Sequence, residues 1–425
     1  MPKLKEVLPM LLPLILTFYA IYPQALAVRG SSFILLSGVL GLGLYVYHRM
    51  PFKEVIYVLI ALAVMSFIFF TASWINSVPD DYFFNYAKSQ IAWIFSAYLI
   101  VFLIFRIHRR PHVTTILLYI AVAIGVQALI AFAMNRSESV HDFFYSLQMQ
   151  VDYTEEVVDE AGSQRIVGYG IAFFGAGAIS GIGLIVISYI LMRVRLATKE
   201  FIALALLYVF IFYIGLFMAR TTIVGMAFGM ILIAILYIWD NRSIRKQAKT
   251  FAISSVFLMA GGYLFAMFYF PAFSDWAFEL FRNFWETGSL ETKSSSGLTE
   301  MFLIPQDVFT LWFGTGAMSF WGSDVGFSRL LYYAGIPGML MYFIYPLIVM
   351  KYSATRDWAV NIITIVLYTY SIALNFKGII DLNIVFYLIF FYFMFYKYYI
   401  YMPRQYAKEV KKAKYIKGKR PLNRI

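Results

Sequence analysis

Twelve runs of about twenty apolar residues, none with Asp, Glu, Lys or Arg in its middle, leave this chain few ways to fold. They fall at 7–27, 31–47, 55–75, 90–106, 113–134, 169–192, 201–219, 221–239, 250–271, 330–350, 358–376 and 383–401. Helix is the form that leaves no backbone N–H or C=O facing hydrocarbon. The chain is 61% hydrophobic, with a mean hydropathy of +0.73. A soluble domain of 425 residues could not bury that surplus. The expected fold is an all-α polytopic membrane protein, one integral domain over 1–425. The opening MPKLKEVLPM runs into apolar sequence with no small-residue cleavage site, so it reads as the first span.

Charge sets the orientation. The connections at 48–54, 106–112, 193–200, 240–250 and 351–357 are basic, and they alternate with acidic or nearly uncharged ones. By the positive-inside rule both termini are cytoplasmic. The inner face then carries 26 Lys and Arg against 6 Asp and Glu, the outer face 9 against 17. The +12 net charge is therefore an orientation signal and does not point to nucleic acid. The tail 402–425 is strongly basic and suits an anionic membrane surface.

Two outer loops are long, 135–168 and 273–328. The first holds Arg136, His141, the acidic run YTEEVVDE and Arg165. In the second, Trp276, Leu280, Phe281 and Phe284 recur at helical spacing, as in a helix lying in the membrane interface. Gly177 and Gly181 form a small-xxx-small pair suited to close helix contact. Asp80 and Asp81 form an outer carboxylate pair, most simply a solvated loop.

Several chemistries are excluded. There is no GxxxxGK[ST], no HExxH, no Gly-x-Ser-x-Gly and no cysteine. No metal site and no cofactor are expected. Pumps and antiporters keep ionisable groups at mid-membrane, and these spans have none. What remains is cationic chemistry at the outer surface. Arg165 precedes the sixth span and Arg220 sits in a very short turn. Arg329 opens the tenth span, and Lys377 lies between the last two. All four are expected at the outer headgroup level, where Arg can grip a phosphate through two N–H groups. In the plainer alternative each cation anchors its own helix to lipid. Stretch 314–338, GTGAMSFWGSDVGFSRLLYYAGIPG, adds Asp324 beside Arg329 at the re-entry from the second long loop. A helix starting near Asp324 would put Arg329 on one face with Tyr332 and Tyr333. Asp324 would then either cap that helix or point at a ligand.

Stretch 314–338 resembles the glycine-rich loop of the Wzy-type O-antigen polymerase and ligase group. It has the glycines Gly314 and Gly316, then D-x-G-[FY] at 324–327, including Gly326. Next come Tyr332 and the Tyr-x-Gly-hydrophobic-x-Gly element at 333–338. MARTTIVG at 218–225 resembles the group's Ser/Ala-Arg-Thr element, and about twelve spans with two long outer loops match its layout. The resemblance implies a GT-C-like, metal-independent glycosyltransferase of the bacterial inner membrane, using undecaprenyl-diphosphate-linked glycan as donor and acceptor at the periplasmic face. A chain-length regulator and a flippase are the implied partners. Arg220 matches the arginine expected to contact diphosphate. Arg165 takes the place of the arginine closing the first long loop, and Arg329 follows the D-x-G-[FY] element. Ligases of the group use a histidine in the second long loop, and this chain has none after His141. That favours polymerisation over ligation. Asp324 and His141 are both open as proton acceptors, and Trp276, Trp285, Trp312 and Trp321 offer faces to sugar rings. From another class, a lipid-linked oligosaccharide flippase is the alternative, though it calls for a hydrophilic path through the spans.

Overall fold

The structure is a computed structural model that describes residues 4–28, 31–49, 52–148, 165–171, 173–239, 242–269, 271, 274–275, 278–288, 293–355 and 357–401. The acidic run at 153–160, Trp276 and the basic tail 402–425 lie outside the described residues, as do the side chains of Leu280 and Phe281.

Every expected apolar run contains a helix. In chain order these are α1 (Leu4–Ile21), α2 (Phe33–Tyr47), α3 (Lys53–Ile75), α4 (Tyr82–His108) and α5 (Val113–Met134). A short helix α6 (Glu138–Leu147) follows in the first long loop. Then come α7 (Phe173–Arg193), α8 (Thr198–Met218), α9 (Thr221–Trp239) and α10 (Arg242–Tyr269). The second long loop holds α11 (Glu279–Thr287), α12 (Lys293–Glu300) and α13 (Val308–Phe313). The chain continues through α14 (Gly326–Ser353), α15 (Trp358–Leu374) and α16 (Asn383–Phe395), which passes into a π-helical turn at Tyr396–Tyr401. A two-residue strand pair, Ala27–Val28 with Ser31–Ser32, joins α1 to α2.

Among the described residues seven helices are long and apolar enough to cross a membrane: α3, α4, α5, α7, α8, α9 and α14. Shorter apolar helices occupy Leu8–Ile21, Phe33–Tyr47 and Trp358–Leu374. Leu36, Val39, Ile60, Phe67, Leu206 and Ile231 are exposed on the outside of their helices. Such apolar surface needs hydrocarbon as solvent, so the protein is an all-helical, polytopic, membrane-integral protein.

α7 is the central post. Every residue from Ala176 to Met192 is buried, and α5, α8, α9, α10 and α15 pack around it. Its glycines permit this. A Cβ on Gly225 of α9 would lie 2.1 Å from the Gly181 Cα, so the two backbones touch where neither has a side chain. A second group joins α3, α4, α14 and α16, and α16 is also nearly all buried.

Three helices begin four or more residues ahead of the expected run: α10 opens at Arg242, before residue 250, in the basic stretch, and the other two share one reason. α4 begins at Tyr82, well before residue 90, and α14 begins at Gly326, before residue 330. The extra turns of α4 and α14 are amphipathic, with Tyr86 and Ser328 turned inward. A search for continuous apolar runs passes over such turns. α14 is also two helices in one, broken at Ala334 (φ −133°) and Gly335 (φ +64°, ψ −170°) just before Pro337. Proline has no N–H to give and crowds the turn before it.

Candidate functional site

The glycine-rich loop repairs the break in α14. Where the helix stops, the carbonyls of Tyr332 and Tyr333 lose their helical partners. The Thr315 N–H and hydroxyl donate to Tyr332 O at 2.7 and 2.9 Å, and the Gly316 N–H donates to Tyr333 O at 2.9 Å. The loop is in turn bolted to the end of α3. The Ser73 hydroxyl donates to Gly316 O at 2.8 Å and the Asn76 amide to Gly314 O at 3.1 Å. Asp80 accepts from the N–H groups of Met318 and of Tyr82. Its carboxylate is thus a loop anchor, where the sequence suggested a solvated pair. Gly314 and Gly335 both sit near φ +70°, ψ −170°, a region open essentially to glycine alone.

This geometry settles the direction of Arg329. Its Nε donates to Ser319 O at 3.2 Å, back into the glycine loop, and its charge is felt at Tyr82. Tyr333 is fully buried, while Tyr332 stacks on Trp321 with ring centroids 5.6 Å apart. Arg329, Tyr332 and Tyr333 lie on the unbroken first part of α14, at i, i+3 and i+4, with Tyr333 buried against Tyr82 at 5.1 Å and Tyr332 at the outer edge of that face. Val325, not Asp324, takes the N-cap position. Asp324 is exposed, and its charge acts on Lys377.

Arg165, Arg220 and Lys377 converge from three distant parts of the chain. The Ile166 N–H donates to Phe217 O at 3.2 Å, laying Arg165 along the end of α8 just ahead of Arg220. Arg220 immediately precedes α9, whose first N–H groups carry partial positive charge. Behind it, the buried hydroxyls of Thr221 and Thr222 have no hydrogen-bond partner among the described residues. The 375–382 turn delivers Lys377: Asn375 O accepts from Phe327 N at 3.3 Å, and Ile380 O accepts from the Tyr342 hydroxyl at 2.9 Å. Burial, then the charges of Arg220 and Arg165, hold the Lys377 ammonium below its ordinary pKa, with Asp324 opposing. Burial and Arg220 likewise lower Arg165. Arg165, Arg220 and Lys377 thus feel one another's charge, and a concentration of cations of this kind favours an anion.

Two acids missing from the sequence reading complete the picture. Glu279, the first residue of α11, forms a largely buried ion pair with Arg220. Only the tertiary fold brings the second long loop over this turn; in sequence Glu279 is one loop acid among many. Asp381 ends the Lys377 turn. Its carboxylate accepts from the Tyr86 hydroxyl at 2.9 Å, from the Gln90 amide, and from Asn383 N at 2.8 Å. Gln90 continues the network to Tyr387, and Tyr387 to Tyr345, each at 2.6 Å. Burial raises the Asp381 pKa. A carboxylate four residues after Lys377 was the available signal, but its loop position hid its depth.

His141 lies in a cleft of about 360 Å³ shared with Arg165, Asn135, Arg136, Ser137 and Glu138. Its Nδ1 is 3.3 Å from Asp142 and its ring stacks on Tyr145. Trp285 and Trp312 are exposed on the second long loop. Among the described residues no three His, Asp or Glu side chains converge on one point. Comparison with known proteins finds no family model, no curated protein and no solved structure that matches this chain.

Proposed function

We propose that the protein is a glycosyltransferase of about twelve spans and GT-C-like architecture, in the bacterial inner membrane, that polymerises undecaprenyl-diphosphate-linked repeat units at the periplasmic face. The observation that carries this reading is the convergence of Arg165, Arg220 and Lys377. A diphosphate at the outer headgroup level meets both arginine forks and the lysine there. Transfer needs little else from the protein. The acceptor hydroxyl oxygen bonds to the anomeric carbon as the bond to the diphosphate oxygen breaks, and the electron pair leaves on the diphosphate. Preorganised positive charge at that oxygen lowers the barrier. The hydroxyl proton passes to a group at the cluster's edge, Asp324 beside Lys377 or His141 across the Arg165 cleft. Glu279 holds Arg220 in place and yields to the incoming anion.

The decisive test is deletion of the gene. Polymerisation predicts lipid A-core capped by a single repeat unit. Full-length polymer retained on undecaprenyl diphosphate would point instead to ligation, and repeat units trapped on the cytoplasmic side to a flippase.

A further inference from the structure

A second concave, cationic feature lies at the other end of the bundle. Arg193 closes α7, sixteen residues beyond Gly177, which packs against Thr221 beside Arg220. At 1.5 Å per residue that is about 24 Å away. Two abutting clefts meet here. One, of about 310 Å³, is bordered by Arg110, Thr355 and Tyr396, and the other, of about 370 Å³, by Thr114, Arg193 and Arg195. They share His112, Val113 and Asp357 as a common wall. Each volume is in the range of small-ligand sites.

The walls are braced. Arg193 Nη2 donates to both Asp357 oxygens at 3.0 and 3.2 Å, and Asp357 accepts from Ala359 N at 3.1 Å. The Tyr392 hydroxyl donates to Pro111 O at 3.3 Å, and the Gln247 amide donates to Leu191 O at 2.8 Å. The connections after α4, α7 and α14 thus meet around one groove, and Gln247 ties α10 to the end of α7 behind it. Among the described residues its fixed charges are three arginines against one aspartate.

Two features set the depth. Trp239, which ends α9, and Trp358, which opens α15 next to Asp357, are exposed and meet edge to face at 5.9 Å. Tryptophan pairs of this kind mark the boundary between headgroups and hydrocarbon. Half-buried Phe393 and the exposed ring of Tyr396 give the groove an apolar wall. A soluble phosphate compound would use the arginines and leave that wall unused, whereas a phospholipid uses both. We propose that this groove is a binding site for an anionic phospholipid of the adjacent leaflet, its phosphate held by Arg110, Arg193 and Arg195 and its acyl chains laid along Phe393 and the Tyr396 ring. The site is independent of the outer cation cluster and of the glycosyltransferase proposal.

Native mass spectrometry of the detergent-purified full chain tests this, with phosphatidylglycerol, phosphatidylcholine and glycerol 3-phosphate titrated separately. Phosphatidylglycerol is expected to bind at least tenfold more tightly than phosphatidylcholine. Arg110→Gln with Arg195→Gln, both exposed, should abolish that preference. Arg49→Gln with Lys199→Gln, exposed basic residues that do not line the groove, should leave it intact. Equal binding of the two lipids by the wild type overturns the proposal without reference to any variant. So does equal loss in both double variants, which means diffuse surface charge. Glycerol 3-phosphate bound as tightly as the lipid means a soluble anion is the ligand, and also overturns it.

Discussion

Replacing Arg220 by alanine separates what the residue does for the fold from what it does for the reaction. Arg220 and Glu279 keep 15% and 10% of their side-chain surface exposed, so the pair is largely withdrawn from water. Removing one partner of such a pair strands the other charge and costs about 3–5 kcal/mol, whereas removing both is often close to neutral. Arg220→Ala should therefore lower stability by about 3 kcal/mol. Glu279→Ala should cost at least as much, since it leaves Arg220 facing Arg165 and Lys377 with less to offset their repulsion. The double variant should be more stable than either single one. Function should respond differently. Loss of one preorganised contact to a leaving group slows transfer about 10²–10³-fold. The double variant should thus regain stability without regaining activity. Thermal unfolding in detergent reads the first quantity, and polysaccharide chain length in cells, normalised to inserted protein, reads the second. Wild-type chain lengths in Arg220→Ala/Glu279→Ala would refute the diphosphate role. A double variant less stable than both single ones would refute the buried-pair energetics.

Three further outcomes are expected. Burial and two arginines lower the Lys377 pKa, so anion affinity is complete while the ammonium is charged and declines as pH rises through that lowered value. Lys377→Arg should hold affinity to about pH 10, because arginine stays protonated there; an identical alkaline decline in both proteins, followed by titration with undecaprenyl diphosphate, would rule this out. Gly335→Ala places a Cβ 2.3 Å from Trp312 O at φ +64°, and should cost more than 2 kcal/mol, roughly, in detergent unfolding. Gly288→Ala, also at positive φ but with nothing within 4 Å, should cost about 1–2 kcal/mol, and equal losses at the two sites would contradict the close-approach explanation. Asp381→Asn puts a donor either where Oδ2 accepts from both Tyr86 and Gln90 or where Oδ1 accepts from Asn383 N, at a cost of about 1–3 kcal/mol. Burial raises the folded pKa of Asp381, so wild-type stability falls as pH rises from about 4, the unfolded value, through the raised one. The wild-type advantage over Asp381→Asn should be largest in acid and shrink toward neutral pH; a gap that widens with pH would contradict the assignment.

Hydropathy alone placed a helix at every one of the twelve runs, because a bilayer leaves the backbone no alternative and apolar runs announce themselves. It missed the first turns of α4 and α14, where amphipathic residues face protein on one side. The candidate positions Arg165, Arg220 and Lys377 were legible for a related reason: cations at the outer ends of apolar runs are few, and the membrane fixes their depth. Their mutual proximity was not legible, since it depends on Ile166 reaching Phe217 and on the Asn375 turn docking against Phe327. Arg329 had the same depth and the same sequence signal, yet a broken helix and a repaired carbonyl turned it toward Ser319. Glu279 was one loop acid among many, and the nearness of Asp381 to Lys377 in sequence did not show its depth. Sequence determines which segments must leave water and at what depth their charged ends stop, because transfer free energy depends on composition alone. Which of those charges meet depends on helix rotation and loop docking, and these follow from contacts between residues far apart in the chain, which only the tertiary structure decided.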